Sequence, residues 1–309
     1  MPKMKYFLLF LLTVFQLLDL KTQILPSIPS MEQIFGWPSE RKKEQKSEEK
    51  NVFIDFQSGI VTIKLINANY NYYQGTDGRI VCYPSHWRRI TGSDGRIVAY
   101  PTNWRTTEGR NGRAVSYPPT SGWSVVMDMT GRKFFLPYSD WTIEKGLDGF
   151  WTPRPLSYWT WEQGRDGRKV VRPTSDWTWE QGTDGRKVVR PISGWTWEEG
   201  QDGRKVVRPI SSWTWQEGRD GRKVVYPNTG WTWEQGADGR KVVRPSTGWT
   251  WQEGSDGRKV VRPSGNSKNL TLIFIHPEHL ALFDALRSEL SEEELTHFIL
   301  YYWINVDRE

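Results

Sequence analysis

Residues Trp231 to Gly248 read WTWEQGADGRKVVRPSTG, and variants of this phrase fill most of the chain. Trp123, Trp141, Trp159, Trp177, Trp195, Trp213, Trp231 and Trp249 follow one another every 18 residues, after earlier copies at Tyr70, Trp87 and Trp104 spaced by 17, 17 and 19. In all eleven copies a Gly stands eight residues after the aromatic anchor, and a Pro six residues after that Gly. Length changes therefore fall only between the Pro and the next anchor. The stretch from anchor to Pro is one fixed object, and the segment after the Pro is a tolerant connection.

A β-hairpin fits that object. Asp-Gly is a tight-turn signal because Gly takes a positive φ without steric cost, and Trp, Thr and Val on both sides suit strands. A Gly and a Pro in every unit forbid a continuous helix, which excludes a helical solenoid. If Arg165-Asp166-Gly167 is a three-residue loop ending in left-handed Gly, then Gly164 faces Arg168, Trp161 faces Val171 and Trp159 faces Pro173. One face then carries Trp159, Trp161, Val171 and Pro173, and the other Thr160, Glu162, Arg168, Val170 and Arg172, with Glu and Arg placed to pair across the strands. A two-residue Asp-Gly turn would put Trp161 opposite Arg172 and mix the faces.

Two indoles cannot offset the ordering entropy of a whole unit, so neighbouring units must share a core. The expected fold class is mainly β: tandem 18-residue hairpins in an elongated solenoid or meander, their Trp rows stacked on one another, with a small C-terminal helical cap. The residues expected to stack between repeats, or on a ligand, are Trp159, Trp161, Trp177, Trp179, Trp195, Trp197, Trp213, Trp215, Trp231, Trp233, Trp249 and Trp251.

The flanks divide the rest of the chain. Met1 to Lys5 supplies a basic start and Tyr6 to Phe15 (YFLLFLLTVF) an apolar run too short for a bilayer span, so residues 1–26 read as a signal peptide, the alternative being an uncleaved amphipathic anchor. Residues 27–51 form a charged flexible linker, their second half (PSERKKEQKSEEKN) nearly free of apolar groups. Residues 52–68 alternate as two strands around Gly59 and form an N-terminal β cap, residues 69–265 hold the repeats, and residues 266–309 supply a last strand and helices. Pro277 opens the first helix, with Leu280, Phe283, Leu286 and Leu290 on one face; Ser291-Glu292-Glu293-Glu294 is a capping box for a second, bearing Leu295, Phe298, Ile299 and Tyr302.

Composition narrows the function classes. The 309 residues include 19 Trp, 28 Gly and 18 Pro, the bias of a repeat protein. A single Cys, Cys82, excludes an internal disulfide framework and leaves at most a Cys82-linked dimer. The net charge of +6, spread over near-neutral repeats, names no nucleic-acid partner. Acidic residues such as Glu162 and Asp166 recur in unit after unit, whereas an active site is one constellation, so they read as surface charge and turn formers. His276-Pro277-Glu278 superficially resembles a zinc deaminase motif, but no Cys pair completes it, and helix-start residues are the better account. A period of 18 is twice that of calcium-binding β-rolls, yet only one Gly-x-Asp-Gly occurs per unit and Arg or Lys crowds it. No cofactor is implied. Asn269-Leu270-Thr271 is the only N-glycosylation sequon.

In layout, Thr247-Gly248-Trp249, the internal turn Gly and the period near 20 resemble the Trp- and Gly-rich hairpins of bacterial choline- and glucan-binding modules. The resemblance covers about 69–265 and implies a β-solenoid binding carbohydrate or choline between units. It departs at Val170-Val171, where those modules carry an aromatic pair. Trp123 to Pro137 (WSVVMDMTGRKFFLP) also looks like the front half of a WW domain, whose remainder is missing.

These features lead to a secreted, extracellular, non-enzymatic repeat protein: a structural or adhesive scaffold, or one displaying ligands. Its expected partners are a matrix component, a glycan or a protein surface, with self-association as the homotypic option, and without nucleic acid or a stable membrane span. One alternative is a glycan-binding module using Trp and Tyr stacking, with Tyr83, Tyr100, Tyr117 and Tyr226 before the Pro on the other face. A second is a precursor cut at the recurrent Gly-Arg-Lys into peptides such as VVRPTSDWTWEQGTD. A synthetic peptide spanning Trp231 to Gly248 is predicted to show neither strand ellipticity nor a blue-shifted Trp emission on its own; a stable isolated hairpin would contradict the shared core.

Overall fold

Each repeat forms its hairpin in the register expected. In the computed structural model, residues 51–64, 69–120, 122–264, 269–274 and 276–306 are described. The signal peptide and nearly all of the linker expected from the sequence lie outside them. Strands β1 (Val52–Asp55) and β2 (Ile60–Lys64) come first, and β3 (Tyr70–Gln74) to β24 (Lys259–Pro263) make eleven consecutive two-stranded antiparallel sheets. In the hairpin of β13 (Trp159–Gln163) and β14 (Lys169–Pro173), Trp159 pairs with Pro173, Trp161 with Val171 and Gln163 with Lys169. The loop is Arg165-Asp166-Gly167: Gly164 N donates to Arg168 O at 2.9 Å, Gly167 N to Gly164 O at 3.1 Å, and Gly167 has φ +88°.

Neighbouring hairpins pack front to back. Lys187 Nζ lies 3.3 Å from Glu162 Oε2 of the preceding hairpin, and Trp195 shares one apolar cluster with Val188 of the hairpin before it and Val207 of its own. The Trp-bearing face of each unit thus meets the Glu, Arg and Val face of its predecessor. Among the described residues no ring contact joins anchor Trp residues of adjacent repeats. This corrects the expected stacking of Trp rows on one another. Identical units joined by similar connectors are related by one repeated operation, so every hairpin turns the same face the same way around the series; face-to-face stacking would need alternate units to flip.

Front-to-back contacts either run on or close. Here they close. Asp256 N in the last hairpin donates to Gly78 O in the first (3.4 Å), as Asp184 N does to Gly203 O (3.3 Å) between ordinary neighbours. Gln74 Nε2 donates to Ser255 Oγ at 2.8 Å, and the Arg262 guanidinium lies 5.5 Å from the Tyr72 ring centre. The tandem antiparallel hairpins and helical cap are as expected, but the run bends round until its ends meet instead of extending as a rod. Among the described residues, strands of different repeats do not pair, so it is a ring of separate sheets and not a closed barrel.

The two flanks, expected as separate caps, form one. Strand β25 (Asn269–Ile273) pairs with β2, giving a sheet in the order β1-β2-β25. Helices α1 (Pro277–Ala285) and α2 (Glu292–Asn305) come next, and Ser291 caps α2 with the expected capping box closed by Glu294. Val61, Ile63, Leu270, Leu272, Phe283 and Ile299 form a fully buried core. The cap touches hairpins right around the ring. Trp104 and Trp123 pack on Tyr301 and Phe298, Trp249 meets Trp303 edge-on, and Trp195 Nε1 donates to Phe56 O at 3.1 Å. Tyr301 is buried and accepts a hydrogen bond from Ser116 N at 3.1 Å, and burial pushes its phenol up to about 12.

Two positions at which glycine recurs along the repeats answer to different constraints. A Cβ on Gly218 would come within 2.5 Å of Gly239 O in the next turn, although Gly218 needs no positive φ. Gly230, directly before an anchor, has φ +74° and open space around it. At that second position Asp140, Tyr158, Asp176 and Ser212 also adopt positive φ, so side chains are tolerated there at a modest cost. Gly230→Ala is predicted to lower stability by about 1 kcal/mol. Gly218→Ala must displace the neighbouring turn and is predicted to cost more, about 2–3 kcal/mol, in denaturant unfolding of the full chain. Equal losses would contradict the stacking of turns.

Candidate functional site

The two Trp of a repeat share a face but not an environment. Trp195 and Trp213 are buried, and Trp159, Trp177, Trp231 and Trp249 are partly buried between hairpins or against the cap. Trp161, Trp179, Trp197, Trp215, Trp233 and Trp251 are all 36–40 % exposed. The cause is the fold: second strands such as β14 run beside their neighbours, with α1 packed on β14, whereas first strands such as β13 form the outer wall.

Every outward Trp carries a cation. Lys169, Lys187, Lys205, Lys223, Lys241 and Lys259 place Nζ over Trp161, Trp179, Trp197, Trp215, Trp233 and Trp251 at 3.3–3.7 Å from the ring centre. The hairpin register sets this up, because Lys169 lies diagonally across from Trp161 on the same face. Each Lys also reaches back: Lys169 to Glu144 (3.3 Å), Lys187 to Glu162 (3.3 Å), and Lys241 to Gln216, which accepts a hydrogen bond at 3.2 Å. Sequence reasoning named the Trp residues and missed the Lys partners. Extending the same register two residues would have found them.

The opposite face is tied together by Arg–Glu pairs, although Nε of Arg172, Arg190 and Arg244 is buried without a hydrogen-bond partner among the described residues. Arg172 Nη2 donates to Glu162 Oε1 at 2.9 Å, and Arg172 Nη1 donates to the carbonyls of Pro173 and Trp177, at 3.1 and 3.4 Å. Arg190, Arg208 and Arg244 repeat the pairing with Glu180, Glu198 and Glu234. Tyr83 and Tyr226, weighed from the sequence as ligand-facing, are buried. Cys82 is buried too, at 3 % exposure, so a bridge to a second chain would require its strand to open. Asn269 of the sequon is exposed at the start of β25, opposite Lys64.

At the turn end, loops from eight hairpins line a cavity of about 800 Å³. The charges alternate around it: Arg186 Nε lies 3.8 Å from Asp166 and 3.5 Å from Asp184, Arg204 3.9 Å from Asp184 and 3.4 Å from Asp202, and Arg222 3.7 Å from Asp202 and 3.5 Å from Asp220. Each Asp also accepts its own loop's backbone, as when Arg204 N donates to Asp202 Oδ1 at 3.1 Å. Burial, and then the guanidiniums of Arg168 and Arg204, hold Arg186 below its ordinary range; burial with Arg204 and Arg240 does the same to Arg222. Phe150 replaces Arg in one loop and lies between Arg132 and Arg168, at 4.9 and 5.5 Å.

In the cap, His276 Nδ1 stands 3.5 Å from Glu278 Oε1 at the start of α1. Burial works to raise the Glu278 carboxyl, but the hydrogen bond and charge of His276 and the charge of His279 hold it below the usual range. Among the described residues no group of three or more His, Cys, Asp or Glu is placed to hold a metal ion, and no helix is long and apolar enough to cross a membrane. No family model matches the chain, and neither a curated protein nor a solved structure is similar to it.

Proposed function

We propose that the chain is an exported, non-enzymatic scaffold that presents an arc of Trp–Lys sites to an extended extracellular ligand. The observation that carries this reading is the recurrence of one partly exposed Trp, with an ammonium group over it, on six successive hairpins. An indole offers an apolar plate for a sugar ring, and the Lys packed over it, only 10–12 % exposed where it pairs with Glu, holds the ring in one orientation. Each contact is weak, and six on one rigid body act together. A polymer with a repeating surface, such as a glycan, is the partner this regularity suits. The charged groups elsewhere recur with each hairpin and pair within the ring, which favours display over catalysis. Export rests on the amino-terminal apolar run.

Peptide release is the weaker reading. Gly167-Arg168-Lys169 lies in a turn whose backbone bonds to the adjacent hairpins and in a strand whose Lys is engaged with Trp161 and Glu144, so a protease would have to open the ring first.

The test applies the full chain to columns of chitin, cellulose and mixed β-glucans and follows Trp emission as soluble fragments are added. Retention with an emission shift is expected, falling about tenfold or more when Trp179, Trp197 and Trp215 are replaced by Gln, since losing half of the sites removes avidity steeply. No retention across the panel, or retention unchanged in the triple variant, would overturn the proposal.

A further inference from the structure

The cavity at the turn end is lined by paired charges of unequal exposure. Eight Asp and seven Arg line it, a near balance by count but not by depth. The Asp side chains there are 13–18 % exposed and the Arg side chains 26–47 %. The surface a solute meets is therefore guanidinium. Arg168, Arg186, Arg204, Arg222, Arg240 and Arg258 meet the carboxylates most closely through Nε, at 3.4–3.9 Å, with their Nη nitrogens farther off. These are the donors that bind phosphate or sulfate oxygens in pairs.

The loops are also rigid. The turn glycines pack each loop against the next, so the guanidinium stems of six successive hairpins, Arg168 to Arg258, are set by the repeat before anything binds. Preorganised guanidinium donors in a concave site, more exposed than the carboxylates that back them, favour an anion whose charges are likewise spread around a perimeter. A single monovalent ion would engage one or two of the six.

We propose that this ring of arginines is a binding site for one compact polyanion, a small cyclic molecule bearing several phosphate or sulfate esters. It is separate from the outward Trp array and does not depend on its role. The binding is non-covalent, and the Asp residues hold the guanidiniums in place from behind.

The experiment is calorimetric titration of the full chain with inositol hexakisphosphate, and in a parallel arm with inositol hexasulfate, at two salt concentrations. One molecule per chain, bound at micromolar concentration and weakened by salt, is expected; the arm that binds more tightly identifies the ester. Arg204→Gln with Arg222→Gln should weaken binding at least tenfold, whereas Arg88→Gln, which removes a charge outside the cavity, should leave it unchanged. Because the double variant removes ion pairs of the ring, the native chain is tested as well: the bound ligand should protect Arg204 and Arg222, but not Arg88, from phenylglyoxal in peptide mass spectra. Absence of binding by both esters, several molecules per chain, or protection without preference for the cavity arginines would overturn the assignment.

Discussion

The close approach of one turn backbone to the next governs this molecule. In the Trp159 hairpin Gly164 leaves no room for a Cβ beside Gly185 O, and Gly167 sits with its own Cβ position 3.0 Å from Asp148 N of the preceding unit. The turns are drawn together until Asp N–H meets Gly C=O across most of the seams, while indoles and Arg–Glu pairs occupy the same seam further along the hairpin. One spacing at the turns and a bulkier filling beyond them makes every seam a wedge. Wedges repeated in one direction curve the series, and the curve is tight enough for the eleventh hairpin to meet the first.

Closure changes what the rest of the chain must do. The interior of the ring has to be filled, and the segments before and after the repeats fill it together, β2 pairing with β25 across about 200 residues of intervening sequence. The anchor indoles that reach this cap give it a shared core, and the second indole of each repeat is left on the outer wall under its Lys. The charged groups divide by the same geometry. Glu162 and its equivalents tie adjacent hairpins together, and the Asp and Arg of the turns converge on one cavity. Their partners are partly shielded, so the pairs act more on register and order than on net stability.

Local structure was legible in the sequence because it depends on nearby residues. The constant spacing from anchor to Gly to Pro sets the loop length, the loop length sets the pairing of Trp161 with Val171, and Ser291 with Glu294 marks the start of α2. The curvature was not legible. It depends on the difference between two inter-hairpin spacings, and the same front-to-back unit could equally continue as a rod. The pairing of indole with indole failed for a related reason, since a two-faced unit repeated by one operation never presents like to like. The Lys over each outward Trp was readable and overlooked. The turn cavity was not readable, because Asp166 and Arg168 become part of a ring only once distant repeats meet.

The central claim is that the last hairpin stacks on the first as any hairpin stacks on its neighbour. Gln74→Cys with Ser255→Cys, in a chain whose buried Cys82 is replaced by Ala, places two reactive thiols at that junction. With a short bifunctional maleimide the account predicts a cross-link within single chains, formed in high yield and independent of protein concentration. A cross-link seen only between chains, or none under native conditions, would show an open run of hairpins and contradict the account.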